Sequence, residues 1–167
     1  MGIFDSTSKR LQNLKARIPD FPLEKMRLVR LTYHVQKNMR DLTNAALKQH
    51  DLVDASYLVL TVLYGSEDET SSASALGVAC NEKPANLTRL CNDLEARGLI
   101  LRGSRAGDRR AVMISLSAAG RAMIEAVLPE VWQKTESVYD GLSVKELRQL
   151  DDLLSRQLRN LEKMGQA

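Results

Sequence analysis

The chain has 167 residues, 44% of them hydrophobic and 27% charged. That is one ordinary domain's length, enough to bury a core without disulfides or metals, and it excludes a disordered or collagen-like chain. The net charge is only +3, but it is unevenly placed: Arg97, Arg102, Arg105, Arg109 and Arg110 face Asp108 alone between positions 97 and 110, a local excess of four, so that the remainder nets −1. No apolar run approaches the roughly 20 residues of a membrane span, and the N-terminus has no signal-peptide h-region. We therefore expect a cytoplasmic location and no membrane partner.

In chain order, residues 1–21 read as an arm, polar with a weak apolar rhythm (Leu11, Leu14, Ile18) that ends at Pro19 and Pro22. From residue 23 to about 49 neither Gly nor Pro intervenes, and Met26, Val29, Val35, Met39, Leu42 and Ala46 recur at three- and four-residue steps, which predicts one long amphipathic helix. Asp54 is placed to cap a second helix stopping at Gly65, and the polar stretch 67–72 reads as a loop. A short helix over about 72–80 follows, with Asn81 suited to a left-handed turn and Pro84 to the first position of the next helix. That helix carries Leu87, Leu90, Cys91 and Leu94 on one face, Ala85, Asn86, Thr88, Arg89, Asn92 and Asp93 on the other, and ends at Gly98.

The period then changes to two. Residues 99–102 and 111–116 have strand character, with Val112, Ile114 and Leu116 alternating, and 103–107 reads as the basic tip of a hairpin. Ser117 caps another helix, bent by Pro129, and Ser143 with Glu146 forms a capping box opening the last helix, whose Leu147, Leu150, Leu154, Leu158 and Leu161 draw one stripe. The fold class expected is mostly α with a small β component: a winged helix-turn-helix lobe over 51–117 and long helical regions at 22–50 and 118–164.

The chemistry of these pieces is recognition. Small side chains at the start of a helix let it enter the major groove closely, and Asn and Arg on its outer face match base edges. A hairpin can lay an arginine into the narrow minor groove, where the negative potential is deepest. No GxSxG, P-loop or GxGxxG occurs, so no enzyme, cofactor or phosphate cradle is expected. His34 and His50 have no HExxH and no acidic partner at ligand spacing, so no metal is expected either. Cys80 and Cys91 fall on inward positions and read as core thiols, with oxidation sensing as the alternative.

The run Leu87-Thr88-Arg89-Leu90 through Leu94-Glu95-Ala96-Arg97-Gly98-Leu99, then Gly107-Asp108-Arg109-Arg110-Ala111 and Leu116-Ser117-Ala118-Ala119-Gly120, resembles the MarR family of bacterial transcription regulators. The resemblance covers roughly residues 22–164, and Asp20-Phe21-Pro22 with Leu128-Pro129 looks most like the multidrug-efflux repressors of the EmrR kind. It implies a homodimer with intertwined first and last helices, dimerising through 22–50 and 118–164. It also implies a pseudo-palindromic double-stranded DNA operator and release by a small aromatic or phenolic acid bound between the lobes. Residue by residue, it implies Ala85, Asn86, Thr88 and Arg89 on the reading helix, and Arg110 as the minor-groove arginine oriented by Asp108, with Arg105 and Arg109 beside it on the wing. Lys83 stands where the family often has a capping Ser or Thr. Tyr33, His34, Tyr57 and Trp132 are the expected effector-cleft residues. The rival readings are a repressor switched by oxidation of Cys80 and Cys91, and a helical interaction module whose wing reads no DNA.

Overall fold

The structure is a computed structural model that describes residues 2–105 and 108–165, with side chains described outside 105–111. Among these residues seven α-helices and three strands follow in order: α1 (Asp5–Arg17), α2 (Leu23–Leu47), a 3-10 turn (Lys48–His50), α3 (Asp54–Tyr64), β1 (Thr70–Ser72), α4 (Ala73–Ala79), α5 (Pro84–Ala96), β2 (Ile100–Arg105), β3 (Asp108–Leu116), α6 (Ala118–Glu136) and α7 (Val144–Gly165).

The core is gathered in the middle of the chain. Leu60, Leu63, Leu76, Leu90, Leu94, Ile100, Ile114 and Ile124 are all buried together, from α3, α4, α5, the hairpin and α6. The helix-turn-helix follows the expected local chemistry. Ser72 caps α4 by accepting from the Ala75 N–H at 3.2 Å, Asn81 takes the left-handed φ of 51°, and Pro84 opens α5 after Lys83, whose side chain makes no cap.

The Leu-Ser-Ala-Ala-Gly segment has a geometric reason. The Ser117 hydroxyl accepts from the Gly120 N–H at 2.9 Å and donates to the Gly98 carbonyl at 2.6 Å, fastening α6 to the turn that leaves α5. A Cβ at Gly120 would sit 2.0 Å from the Leu99 carbonyl oxygen, so only glycine permits the close approach. Gly98, at φ +69°, supplies the left-handed exit from α5.

Four expectations change. The N-terminal arm is instead largely helical: α1 lies along α2, its Leu11 buried, with the Phe4 ring edge-on to His34 at 5.1 Å and the Arg27 guanidinium 5.0 Å over that same ring. The stretch read as a loop at 67–72 ends in β1, which pairs antiparallel with β3 through Thr70–Ser115 and Ser72–Met113 and makes a sheet in the order β1-β3-β2. The hairpin strands run further towards the tip than expected, to Arg105 and from Asp108, with a bulge between Ser104 and Arg105. Asp54 does not cap α3, whose first N–H (that of Asp54) instead donates to Asn44 Oδ1 of α2 at 2.8 Å.

The last helix is different in kind from the other helices. The capping box at α7 forms, with Glu146 Oε2 accepting from the Ser143 N–H at 2.8 Å and from its hydroxyl at 2.6 Å, yet none of the residues of α7 is buried. Among the described residues no helix is long and apolar enough to cross a membrane.

Candidate nucleic-acid interface

The second helix of the helix-turn-helix, α5, buries Leu87, Leu90, Cys91 and Leu94 and turns Ala85, Thr88, Arg89, Asn92 and Asp93 outward. Asn86 departs from expectation: it is half-buried, with its amide donating to Glu82 Oε2 at 2.6 Å while its carbonyl accepts from Arg89 at 3.1 Å. Arg89 also reaches Asp93 at 3.3 Å. These are exposed pairs one turn apart, weak enough that a DNA base or phosphate can compete for the guanidinium.

The hairpin is fastened to α5 by Arg102 of β2. Its guanidinium reaches Glu95 at 3.3 Å and the Thr88 carbonyl at 3.4 Å, so the wing and the outer face of α5 are held as one unit. The side chains of Arg105, Asp108, Arg109 and Arg110 lie outside the described residues, as does Gly107 altogether; the backbone places Asp108, Arg109 and Arg110 at the tip-proximal end of β3.

The four aromatic and polar residues expected to line one effector cleft are not brought together. Tyr33 is exposed on α2, its neighbour His34 turns towards α1, Tyr57 is half-buried against the lobe core, and Trp132 is 56% exposed on α6. The structure places a cleft of about 560 Å³ elsewhere, between the end of α2 and the start of α5, with Arg40, Asn44 and Lys48 from one side, Glu82 and Asn86 from the other, and Leu52 adding apolar surface. Arg40 is paired with Asp54 at 3.3 Å. The sequence held no signal for this cleft, because its walls come from segments some 40 residues apart whose facing depends on tertiary packing.

Both cysteines are buried, and desolvation pushes both thiols up, Cys80 to about 11. The Arg102 guanidinium beside Cys91 pulls the other way without overcoming burial. An oxidation sensor needs an accessible, readily ionised thiol, so this environment speaks against that role. Among the described residues no cluster of His, Cys, Asp and Glu is arranged to hold a metal ion.

A short antiparallel sheet behind a helix-turn-helix, with the second helix's polar face turned out beside the hairpin, defines a winged helix-turn-helix protein. Residues 50–111 match the model of the MarR family. The chain is 28% identical over 163 residues, 98% of its length and 93% of the relative's, to the transcriptional repressor MprA of Escherichia coli. It superposes with a TM-score of 0.72 on a mutant of Escherichia coli MarR complexed with operator DNA, at 22% identity and covering 95% and 99% of the two chains. It also superposes, with a TM-score of 0.68, on CouR of Rhodococcus jostii bound to p-coumaroyl-CoA, at 26% identity and covering 74% and 86%. By these likenesses the chain is similar to transcription regulators of the MarR family over its winged helix-turn-helix region.

Proposed function

We propose that the protein is a homodimeric repressor that binds a pseudo-palindromic double-stranded DNA operator and leaves it when a small aromatic or phenolic acid binds. The observation that carries this reading is the shared outward face of Ala85, Thr88 and Arg89 on α5, locked by Arg102 to a hairpin whose tip holds Arg105, Arg109 and Arg110. In it α5 enters the major groove, Arg89 reads a base edge, and Arg110, oriented by Asp108, enters the minor groove while Arg105 and Arg109 meet the backbone. Asn86 joins the reading face once it releases Glu82.

The domain division follows. Residues 51–117 form the DNA-binding lobe, while 22–50 and 118–164 form the dimerising region, to which the helix within 1–21 adds. The apolar stripe of α7, with Leu154, Leu158 and Leu161 about half exposed, supports burial against a second copy. The effector belongs in the cleft between α2 and α5. Lys48 offers a cation for an acid, Leu52 and Val53 offer apolar contact for a ring, and the volume lies within the usual range for small-molecule sites.

The test is a gel shift on DNA upstream of the protein's own gene, with salicylate as probe. Retardation that falls steeply with salt and is reversed by salicylate is the expected result. No sequence preference over random duplex would overturn the DNA reading. Retention of DNA at saturating salicylate, with salicylate bound equally well in the free and DNA-bound protein, would overturn the effector reading, because a ligand shifts an equilibrium only by its differential affinity.

A further inference from the structure

The C-terminal end of α5 is tied to a distant part of the chain. Arg97, the residue that ends the helix, donates to the Asp51 carbonyl at 2.7 Å and to the His50 carbonyl at 3.2 Å. Both carbonyls belong to the turn that closes α2, where Asp51 adopts the left-handed conformation at φ 52° and ψ 39°. On another side the same turn is held to α6: Glu130 Oε2 lies 3.2 Å from His50 Nε2 and also accepts from the Gln49 amide. Lys48 and Asp51 of this turn border the cleft that Glu82 and Asn86, around the start of α5, close from the other side. One four-residue turn therefore meets α6, the cleft and the far end of the reading helix.

A cation at the end of a reading helix would ordinarily be counted as a phosphate contact. Here the two terminal nitrogens of the guanidinium already face two carbonyls, an arrangement that suits a planar fork and that a lysine ammonium cannot reproduce as well. Charge-assisted bonds of this sort are roughly twice as strong as neutral ones. We infer that Arg97 is a positioning residue for DNA recognition: by bridging the His50 and Asp51 carbonyls it sets the orientation of α5 on the interlobe turn, without itself touching DNA. This rests on the reading of α5 as the DNA-reading helix.

The test compares the full-length protein with its Arg97→Ala, Arg97→Lys and Glu130→Ala variants in two measurements. In the first, fluorescence anisotropy follows binding to the upstream operator and to a random duplex across a salt series. Arg97→Ala is expected to lower the ratio of specific to non-specific affinity roughly tenfold, as loss of a charged hydrogen-bond donor does, with the salt slope unchanged and with Arg97→Lys restoring part of the ratio. A uniform loss on both duplexes with the slope reduced by about one would overturn the inference, because that is the signature of a phosphate contact.

The second measurement is hydrogen exchange in the DNA-free protein. Exchange over residues 48–52 is expected to rise several-fold in Arg97→Ala and in Glu130→Ala, while that of the core segment 59–63 stays as in the wild type. Unchanged exchange over 48–52 in both variants would overturn the tie itself. A wild-type protein that does not distinguish the two duplexes would remove the reading of α5 as well as any role of Arg97 in recognition, whereas wild-type discrimination with an intact ratio in Arg97→Ala would sink the positioning role alone.

Discussion

The helix-turn-helix lobe and the last helix both carry apolar stripes at three- and four-residue helical steps, and the stripes meet opposite fates. In α5 the positions Leu87, Leu90, Cys91 and Leu94 are all buried against α3, α4 and the hairpin. In α7 the stripe Leu150, Leu154, Leu158 and Leu161 stays exposed along the whole helix. Periodicity thus marks a face that must be covered, and says nothing of whether the cover comes from the same chain. The stripe of α5 is covered within the chain, with α2 and α6 adding to the same core, whereas the stripe of α7 is left uncovered.

The largest effect should come from attacking the uncovered stripe. Leu154→Asp combined with Leu158→Asp is expected to abolish the proposed dimer at micromolar concentration by light scattering, since two carboxylates would replace the centre of the apolar stripe that is to be buried against a second copy. A wild-type monomer under the same conditions would break the contrast drawn here.

Within the lobe, Leu60→Ala removes a fully buried side chain and should cost about 2–5 kcal/mol in urea unfolding. A loss below about 1 kcal/mol would mean that the lobe is not packed as described. Arg89→Ala, at an exposed position, should leave unfolding nearly unchanged yet weaken operator binding by about 1–3 kcal/mol and relax base preference at one position. The pair of variants separates residues that hold the lobe from residues that use it.

The smallest effect concerns the start of α7. Ser143→Ala should lower stability by about 1 kcal/mol, the usual cost of an N-cap. The hydrogen bonds from the Ser143 hydroxyl and N–H hold the Glu146 carboxyl below the usual carboxylate range. A depressed folded value contributes stability above the unfolded value and loses it as pH falls through the folded one, so the contribution of the box should fade on acidification. Glu146→Gln should flatten that part of the acid profile, followed by circular dichroism.

Much of this architecture was legible in the sequence because it depends on local chemistry. The caps of Ser117 and Ser143, the turn at Asn81 and the helix start at Pro84 act within three or four residues, and the helix stripes report themselves by spacing. What escaped the sequence depends on distant partners. The helix α1 has one buried residue, Leu11, and rests on α2 through Phe4, His34 and Arg27, so its own composition resembles that of an arm. Strand β1 is three residues long, too short for an alternation to show, and exists because β3 offers it an edge. The expected effector residues are not gathered within the chain for a geometric reason: Tyr33 and His34, adjacent on a helix with 3.6 residues per turn, point about 100° apart and meet different neighbours. Arg97 looked like one more basic residue, since nothing local tells that its guanidinium meets carbonyls 46 and 47 positions earlier.

The most direct test of dimeric DNA recognition is a hydroxyl-radical footprint on the upstream DNA. Two protected half-sites, related by two-fold symmetry and centred about one helical turn, roughly 10–10.5 base pairs, or a multiple of it apart, are expected when two copies of α5 enter successive major grooves with their hairpins outside them. Protection of a single isolated half-site, or uniform protection without sequence preference, would contradict it.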